Sequence, residues 1–144
     1  PQNKGEWFLT DAFQWMMERG ARIRTAAVAG WYDCGTVATT LETNRVLLEQ
    51  GRARGPGGAG SRPGVVEPCY IDEGVKIERS TVGPYASIEA GTVIKDSTVT
   101  NVIVGRNCRL ERVKLDGAIL GDEVVGQGLA GSASLGAHAE VRAG

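Results

Sequence analysis

From residue 71 onward, aliphatic side chains recur every five or six positions. Ile71, Ile77, Val82, Ile88, Ile94, Val99, Val104, Leu110, Leu115 and Leu120 form a ladder. The residues that follow them are Asp72, Glu78, Gly83, Glu89, Lys95, Thr100, Gly105, Glu111, Asp116 and Gly121, mostly Gly, Asp or Glu. Four positions after a ladder residue come small or β-branched side chains, as at Ala86, Thr92, Thr98 and Cys108. An interval of five or six fits neither the 3.6-residue period of a helix nor the alternation of an isolated strand. It fits a short strand plus a turn, repeated three times per triangular coil. Three successive intervals give coils of 16 or 17 residues, as from Ile71 to Ile88 and from Val104 to Leu120. Coils of that size stack as parallel strands about 4.8 Å apart, with glycine or short polar residues where the chain bends. Val82, Ile88, Val104 and Leu110 should then face a dry core, and Glu89, Arg106 and Glu111 should lie exposed at or near turns. The pattern loosens around Gly126, after which Leu129, Leu135 and Val141 resume it at intervals of six.

The first fifty residues have a different pattern, of mixed α/β character. Thr10 is a suitable N-cap, Asp11 suits the first turn of a helix, and Gly20 closes it. Phe13, Met16 and Met17 share one face of that helix by their spacing. Ala21 to Trp31 reads as a short strand. Thr36 starts a second helix with Val37, Leu41 and Leu48 on one stripe and Gly51 at its end. Residues 51–64 are rich in glycine, proline and arginine, with too few apolar side chains to pack, and read as a solvated hinge. The chain thus divides into 1–50, a linker at 51–64, and a repeat domain at 65–144.

Composition narrows the function classes. The 144 residues are 42% hydrophobic and carry a net charge of -1, which gives no electrostatic footing for nucleic acid or an anionic membrane. No apolar run has the length of a membrane span. Cys34, Cys69 and Cys108 are widely separated and accompany a single histidine, His138. That argues against a zinc site or a disulfide framework, and for reduced thiols in a cytoplasmic protein. The chain opens on Pro1 without an initiator methionine, as though cut from something longer. Gly55-Pro56-Gly57-Gly58-Ala59-Gly60 and Gly126-Gln127-Gly128-Leu129-Ala130-Gly131 both match G-x-G-x-x-G. Neither has the strand-turn-helix context that a phosphate-cradling loop needs.

More specific segments lie before residue 50. Lys4-Gly5-Glu6, Leu9-Thr10-Asp11, Gly30-Trp31-Tyr32-Asp33-Cys34-Gly35 and Leu41-Glu42-Thr43-Asn44-Arg45 follow one another in order. Their order and spacing resemble the end of the catalytic domain in sugar-1-phosphate nucleotidyltransferases. The ladder resembles the hexapeptide-repeat signature. The nearest branch is the long glucose-1-phosphate thymidylyltransferase-like type, which carries a C-terminal left-handed parallel β-helix. On this resemblance, residues 1–50 are the α/β remnant of a nucleotidyltransferase domain and the fold is mainly β. Cys34 stands where many relatives have threonine. The family's glycine-rich nucleotide loop, its first metal aspartate and its Glu-Lys sugar motif have no counterpart here, so this chain alone is expected to be inactive.

The resemblance implies the chemistry. A sugar 1-phosphate, most simply glucose 1-phosphate, attacks the α-phosphate of an NTP (dTTP or UTP) and leaves an NDP-sugar and pyrophosphate. Mg²⁺ is the cofactor and Asp33 one of its ligands. Lys4 would face the sugar phosphate and Glu6 the sugar. No residue of the chain is assigned as a catalytic acid, base or nucleophile. The β-helix would serve assembly or regulation, forming a homo-oligomer and adding no group to the chemical step. Read from the residues alone, Asp33 is equally a turn residue before a helix, Lys4 a solvated charge and Glu6 an ordinary residue near a helix start. Two other readings stand beside the enzyme. The β-helix could be an acyltransferase using acetyl-CoA and an amino-sugar acceptor, for which His138 is the one candidate base, or a purely structural oligomerisation module.

Overall fold

The computed structural model describes residues 8–51 and 63–143. The chain divides into two compact units, Pro1–Trp31 and Tyr32–Gly144.

Among the described residues, the first unit contains one helix, α1 (Leu9–Glu18). Thr10 does not cap it. Phe8, in an extended conformation, is the N-cap and makes no side-chain cap bond. Asp11 in the first turn supplies the negative charge that the helix dipole favours. The helix therefore begins one residue before the hydroxyl that could have capped it. Its other end matches expectation. Gly20 has φ +84°, and the amides of Gly20 and Ala21 return to the carbonyls of Met17 and Met16, each at 3.0 Å. This is a Schellman closure, which needs a left-handed residue after the helix. Phe13, Met16 and Met17 are all exposed. The segment from Ala21 to Trp31 forms no strand. A strand is held by hydrogen bonds to a neighbour, and no described residue pairs with this one.

The second unit begins with α2 (Val37–Glu49), capped by Thr36. The Thr36 hydroxyl accepts from the Thr39 amide at 3.2 Å, and the Thr39 hydroxyl accepts from the Thr36 amide at 3.1 Å. This reciprocal pair satisfies two otherwise orphaned donors. Leu41 and Leu48 are buried, while Val37 stays exposed at the start of the stripe.

The rest of the unit is a parallel β-helix. One side stacks β1 (Cys69–Ile71), β4 (Ala86–Ile88), and the C-terminal halves of β6 (Thr98–Val104), β8 (Lys114–Leu120) and β10 (Ala130–Leu135). A second stacks β2 (Lys76–Glu78), β5 (Val93–Lys95), β7 (Arg109–Glu111), β9 (Val125–Gln127) and β11 (Glu140–Arg142). The third consists of β3 (Thr81–Val82) and the N-terminal halves of β6, β8 and β10. The register is the one the ladder requires. Ile71 pairs with Ile88, Ile88 with Val104, Val104 with Leu120, and Leu120 with Leu135. Val82, Ile88, Ile94, Val99 and Val104 are fully buried, and Leu110 and Leu120 nearly so.

Four details depart from the periodic reading. Gly126, not Leu129, pairs with Leu110 and Val141. A Cβ on Gly126 would lie 3.1 Å from both Leu110 Cδ2 and Leu129 Cδ1, so Leu129 reaches into the space that a ladder side chain would have filled. Thr98 is exposed, and the small buried residue at its corner is Ser97. That side has a five-residue interval, which brings the inward corner position forward by one. Ile77, in the first coil, is only half-buried. Arg106 is exposed as expected, but Glu89 and Glu111 are half-buried.

Buried hydroxyls stitch the coils together at the corners. Thr92 donates to the Gly105 carbonyl at 2.8 Å and accepts from the Cys108 amide at 3.0 Å. Ser97 donates to the Lys95 carbonyl at 2.6 Å and accepts from the Val113 amide at 3.0 Å. A strand ladder leaves corner amides without sheet partners, and these side chains supply them.

Candidate functional site

Asp33 lies in the turn that leads into α2, and its residue is exposed. The carboxylate folds over Gly35, where an added Cβ would lie 3.3 Å from Oδ2. Glycine at 35 therefore leaves room for the carboxylate beside the chain. Two threonines of α2 reach back to the turn. Thr40 Oγ1 donates to the Thr36 carbonyl at 2.8 Å with the Cys34 carbonyl at 3.2 Å. Thr43 Oγ1 donates to the Thr39 carbonyl at 2.9 Å with the Asp33 carbonyl at 3.4 Å. In each case the bond within the helix is the shorter leg, so the turn is held by two secondary contacts.

The helix is in turn fixed to the β-helix. It packs against β6 and β8. Ile103 and Ile119, outward residues of that side, are half-buried. Asn44 makes the polar contact. Its Oδ1 accepts from Ser87 Oγ at 2.6 Å, and its Nδ2 donates to the Tyr85 carbonyl at 3.4 Å. Beside this contact a groove of about 510 Å³ is lined by Val37, Leu41, Arg45, Tyr85, Asn101 and Gly117. The Arg45 guanidinium lies 5.1 Å from the Tyr85 ring centre and 3.2 Å from Glu49. Its charge is thus already matched, and the groove offers an apolar wall rather than an anion site.

An exposed carboxylate on a braced turn suits a hard divalent cation as one ligand, since Mg²⁺ takes one or two carboxylates and fills its remaining positions with water and phosphate. Among the described residues, no three His, Cys, Asp or Glu side chains converge to complete a metal site. Lys4 and Glu6, implied as sugar-side residues, lie outside the described residues. So does the first G-x-G-x-x-G segment; the second runs from β9 into β10 and opens no helix. His138 occupies a corner with φ +62°, its side chain 71% exposed and Nδ1 3.2 Å from Glu123 Oε2. It is a solvated turn histidine. The three cysteines are free, with Cys34 exposed, Cys69 half-buried and Cys108 buried. Burial raises the thiol pKa of both Cys69 and Cys108 above the ordinary value.

Sequence reasoning singled out Asp33 and placed Thr43 and Asn44 in a segment of the family resemblance, but gave no role to Thr40, Thr43, Asn44 or Ser87. A signal existed for the threonines: Thr36, Thr40 and Thr43 recur at four and three residues, on one helix face. None linked Asn44 to Ser87, which are 43 residues apart and lie in elements of different period.

No protein-family model matches the chain. Among curated proteins it is 32% identical over 143 residues to a glucose-1-phosphate thymidylyltransferase of Streptomyces griseus, covering 86% of this chain and 40% of that protein. It is 33% identical over 122 residues to the enzyme of the same name from Streptomyces antibioticus, covering 83% of this chain and 34% of that protein. The chain therefore spans well under half the length of either relative. With the hexad register of the β-helix, these matches make the chain homologous to the C-terminal portion of sugar-1-phosphate nucleotidyltransferases of the glucose-1-phosphate thymidylyltransferase type.

Proposed function

We propose that the intact gene product makes an NDP-sugar and pyrophosphate from a sugar 1-phosphate and an NTP, with glucose 1-phosphate and dTTP or UTP as the substrates. The observation that carries this reading is the similarity to two thymidylyltransferases over more than four-fifths of the chain. In this reading Asp33 is one ligand of the cofactor Mg²⁺, which when bound would offset the charge that develops on the phosphates. Asp33 contributes a hard oxygen at a fixed place, and its exposure leaves the carboxylate free to take a ligand. Lys4 would neutralise the sugar phosphate and Glu6 would contact the sugar, both on resemblance. The β-helix supplies no reacting group and serves assembly or regulation, as a homo-oligomer. The acyltransferase alternative draws no support from His138, whose imidazole projects into solvent.

The test is steady-state pyrophosphate release by the intact gene product across a Mg²⁺ titration, for wild type and Asp33→Asn. Asparagine keeps the size and removes the charge. Turnover is expected to fall about 10²-fold, equivalent to about 3 kcal/mol of transition-state stabilisation, with partial recovery at high Mg²⁺. Oligomeric state and melting temperature should hold, since the ladder is untouched. Wild-type rates in Asp33→Asn at low Mg²⁺ would reduce Asp33 to a turn residue. Absence of pyrophosphate release by the wild type with either nucleotide would overturn the enzymatic reading itself.

A further inference from the structure

The β-helix and the Asp33 turn are connected by a short series of contacts. Ser87 is an outward residue of β4, between the fully buried Ala86 and Ile88. Its backbone is therefore held within the sheet, with strands paired on both sides. The Ser87 hydroxyl donates to Asn44 Oδ1 at 2.6 Å, and the Asn44 amide spans to the Tyr85 carbonyl at 3.4 Å. Asn44 adjoins Thr43, whose hydroxyl lies 3.4 Å from the Asp33 carbonyl, and follows Thr40, whose hydroxyl lies 3.2 Å from the Cys34 carbonyl. Leu41 and Leu48 bury an apolar stripe, but apolar packing alone allows a helix to slide or roll. A side chain that both donates and accepts fixes one rotation and one register.

We propose that Asn44 is a positioning residue: through Ser87 and the Tyr85 carbonyl it sets α2 on the β-helix, and so sets the backbone of the Asp33 turn. The inference rests on the reading of Asp33 as a Mg²⁺ ligand. It gives the β-helix a part in the reaction beyond assembly, through geometry and without a reacting group. Outer partners that orient a metal ligand typically govern metal affinity by about 10- to 100-fold.

Cys34 is a built-in reporter, being exposed and next to Asp33, whereas Cys69 is half-buried and Cys108 buried. In a Cys69→Ser background, a nitroxide on Cys34 of this chain is expected to be immobilised. Asn44→Ala and Ser87→Ala should each mobilise it, and Ser87→Thr, which keeps the hydroxyl, should not. The helical signal and the melting temperature of the β-helix should change little in all three. In the intact gene product, Asn44→Ala should raise the Mg²⁺ concentration for half-maximal rate about tenfold while leaving the rate at saturating Mg²⁺ within about twofold. A loss of stability alone would lower the amount of active enzyme without moving that Mg²⁺ requirement. An unchanged nitroxide spectrum in Asn44→Ala overturns the inference. So does a mobilised spectrum with an unchanged Mg²⁺ requirement, provided Asp33→Asn is impaired. If Asp33→Asn is silent, the metal role fails, and the nitroxide alone decides whether Asn44 sets the turn.

Discussion

The β-helix and the Pro1–Trp31 unit have similar raw material and very different fates. In the β-helix each ladder residue finds its partner one coil away, so Ile88 packs between Ile71 and Val104 in register. In the first unit Phe8, Leu9, Phe13, Trp15, Met16, Met17, Ile23, Val28 and Trp31 are exposed. The difference lies in where the partner is encoded. A repeat carries the other half of every contact within its own sequence, a short step along the chain. An amphipathic helix or a lone β-like segment carries only one half, and its burial depends on an element elsewhere.

The same charge substitution made in each of the two regions would break this comparison most directly. Val104 is fully buried in the apolar core, paired with Ile88 and Leu120. Val104→Asp is expected to destabilise the β-helix by about 3–5 kcal/mol, since an unpaired carboxylate would be held in a dry core. Met16→Asp, on a residue that is 43% exposed, should change the unfolding of the β-helix by no more than about 0.5 kcal/mol. Chemical denaturation followed by far-UV circular dichroism measures both. A Val104→Asp protein as stable as wild type would refute the stacked core, and a Met16→Asp protein as damaged as Val104→Asp would refute the contrast.

A smaller effect sharpens the account of what the core needs besides apolar area. Thr92 is wholly buried, and its hydroxyl serves the Gly105 carbonyl and the Cys108 amide. Thr92→Val keeps shape and volume but leaves both groups unpaired. The expected loss is about 2 kcal/mol, read from the same denaturation curves. Stability equal to wild type would mean that the corner amides find other partners, and that the hydroxyls are incidental.

How much of this was legible in the sequence follows from the same distinction. The ladder, its register and its buried residues were readable because period and partner are local. The misreadings occurred where packing or hydrogen bonding overrode local preference. Leu129 continues the six-residue interval, yet the coil advances through Gly126, because Leu129 reaches the core from a corner. Thr98 looks like the small inward residue until the five-residue interval moves that place to Ser97. Ala21–Trp31 has strand-like composition, but composition cannot supply a neighbour. At the candidate site, the glycine-flanked aspartate before a capped helix was visible. Its bracing by Asn44 and Ser87 was not, because no periodicity links an outward strand residue to a helix 43 positions earlier.

The smallest expected effect concerns the charged corners, where neighbours are also one coil apart but water is the surroundings. Arg79 donates to Asp96 through Nε at 2.6 Å and through a terminal nitrogen at 2.8 Å. These bonds hold the Asp96 carboxyl below the usual carboxylate range, partial desolvation opposing them and the Arg79, Lys95 and Arg112 charges adding to them. A carboxyl with a lowered folded-state pKa stabilises the fold above its unfolded pKa, and that contribution is lost as pH falls through the folded value. Asp96→Asn isolates this term, because asparagine tolerates the left-handed backbone at φ +50° as well as aspartate does. The melting temperature of the variant should lie slightly below that of wild type from neutral pH down to about pH 5, with the gap closing below about pH 4. Added salt should narrow the gap, since both side chains are solvated. A gap that does not narrow as pH falls below about 4, nor in high salt, would mean that Asp96 acts through its backbone or packing and not through its charge. Corner charges would then belong with the core as structural contacts, and the contrast between dry ladder and wet corner would have to be redrawn.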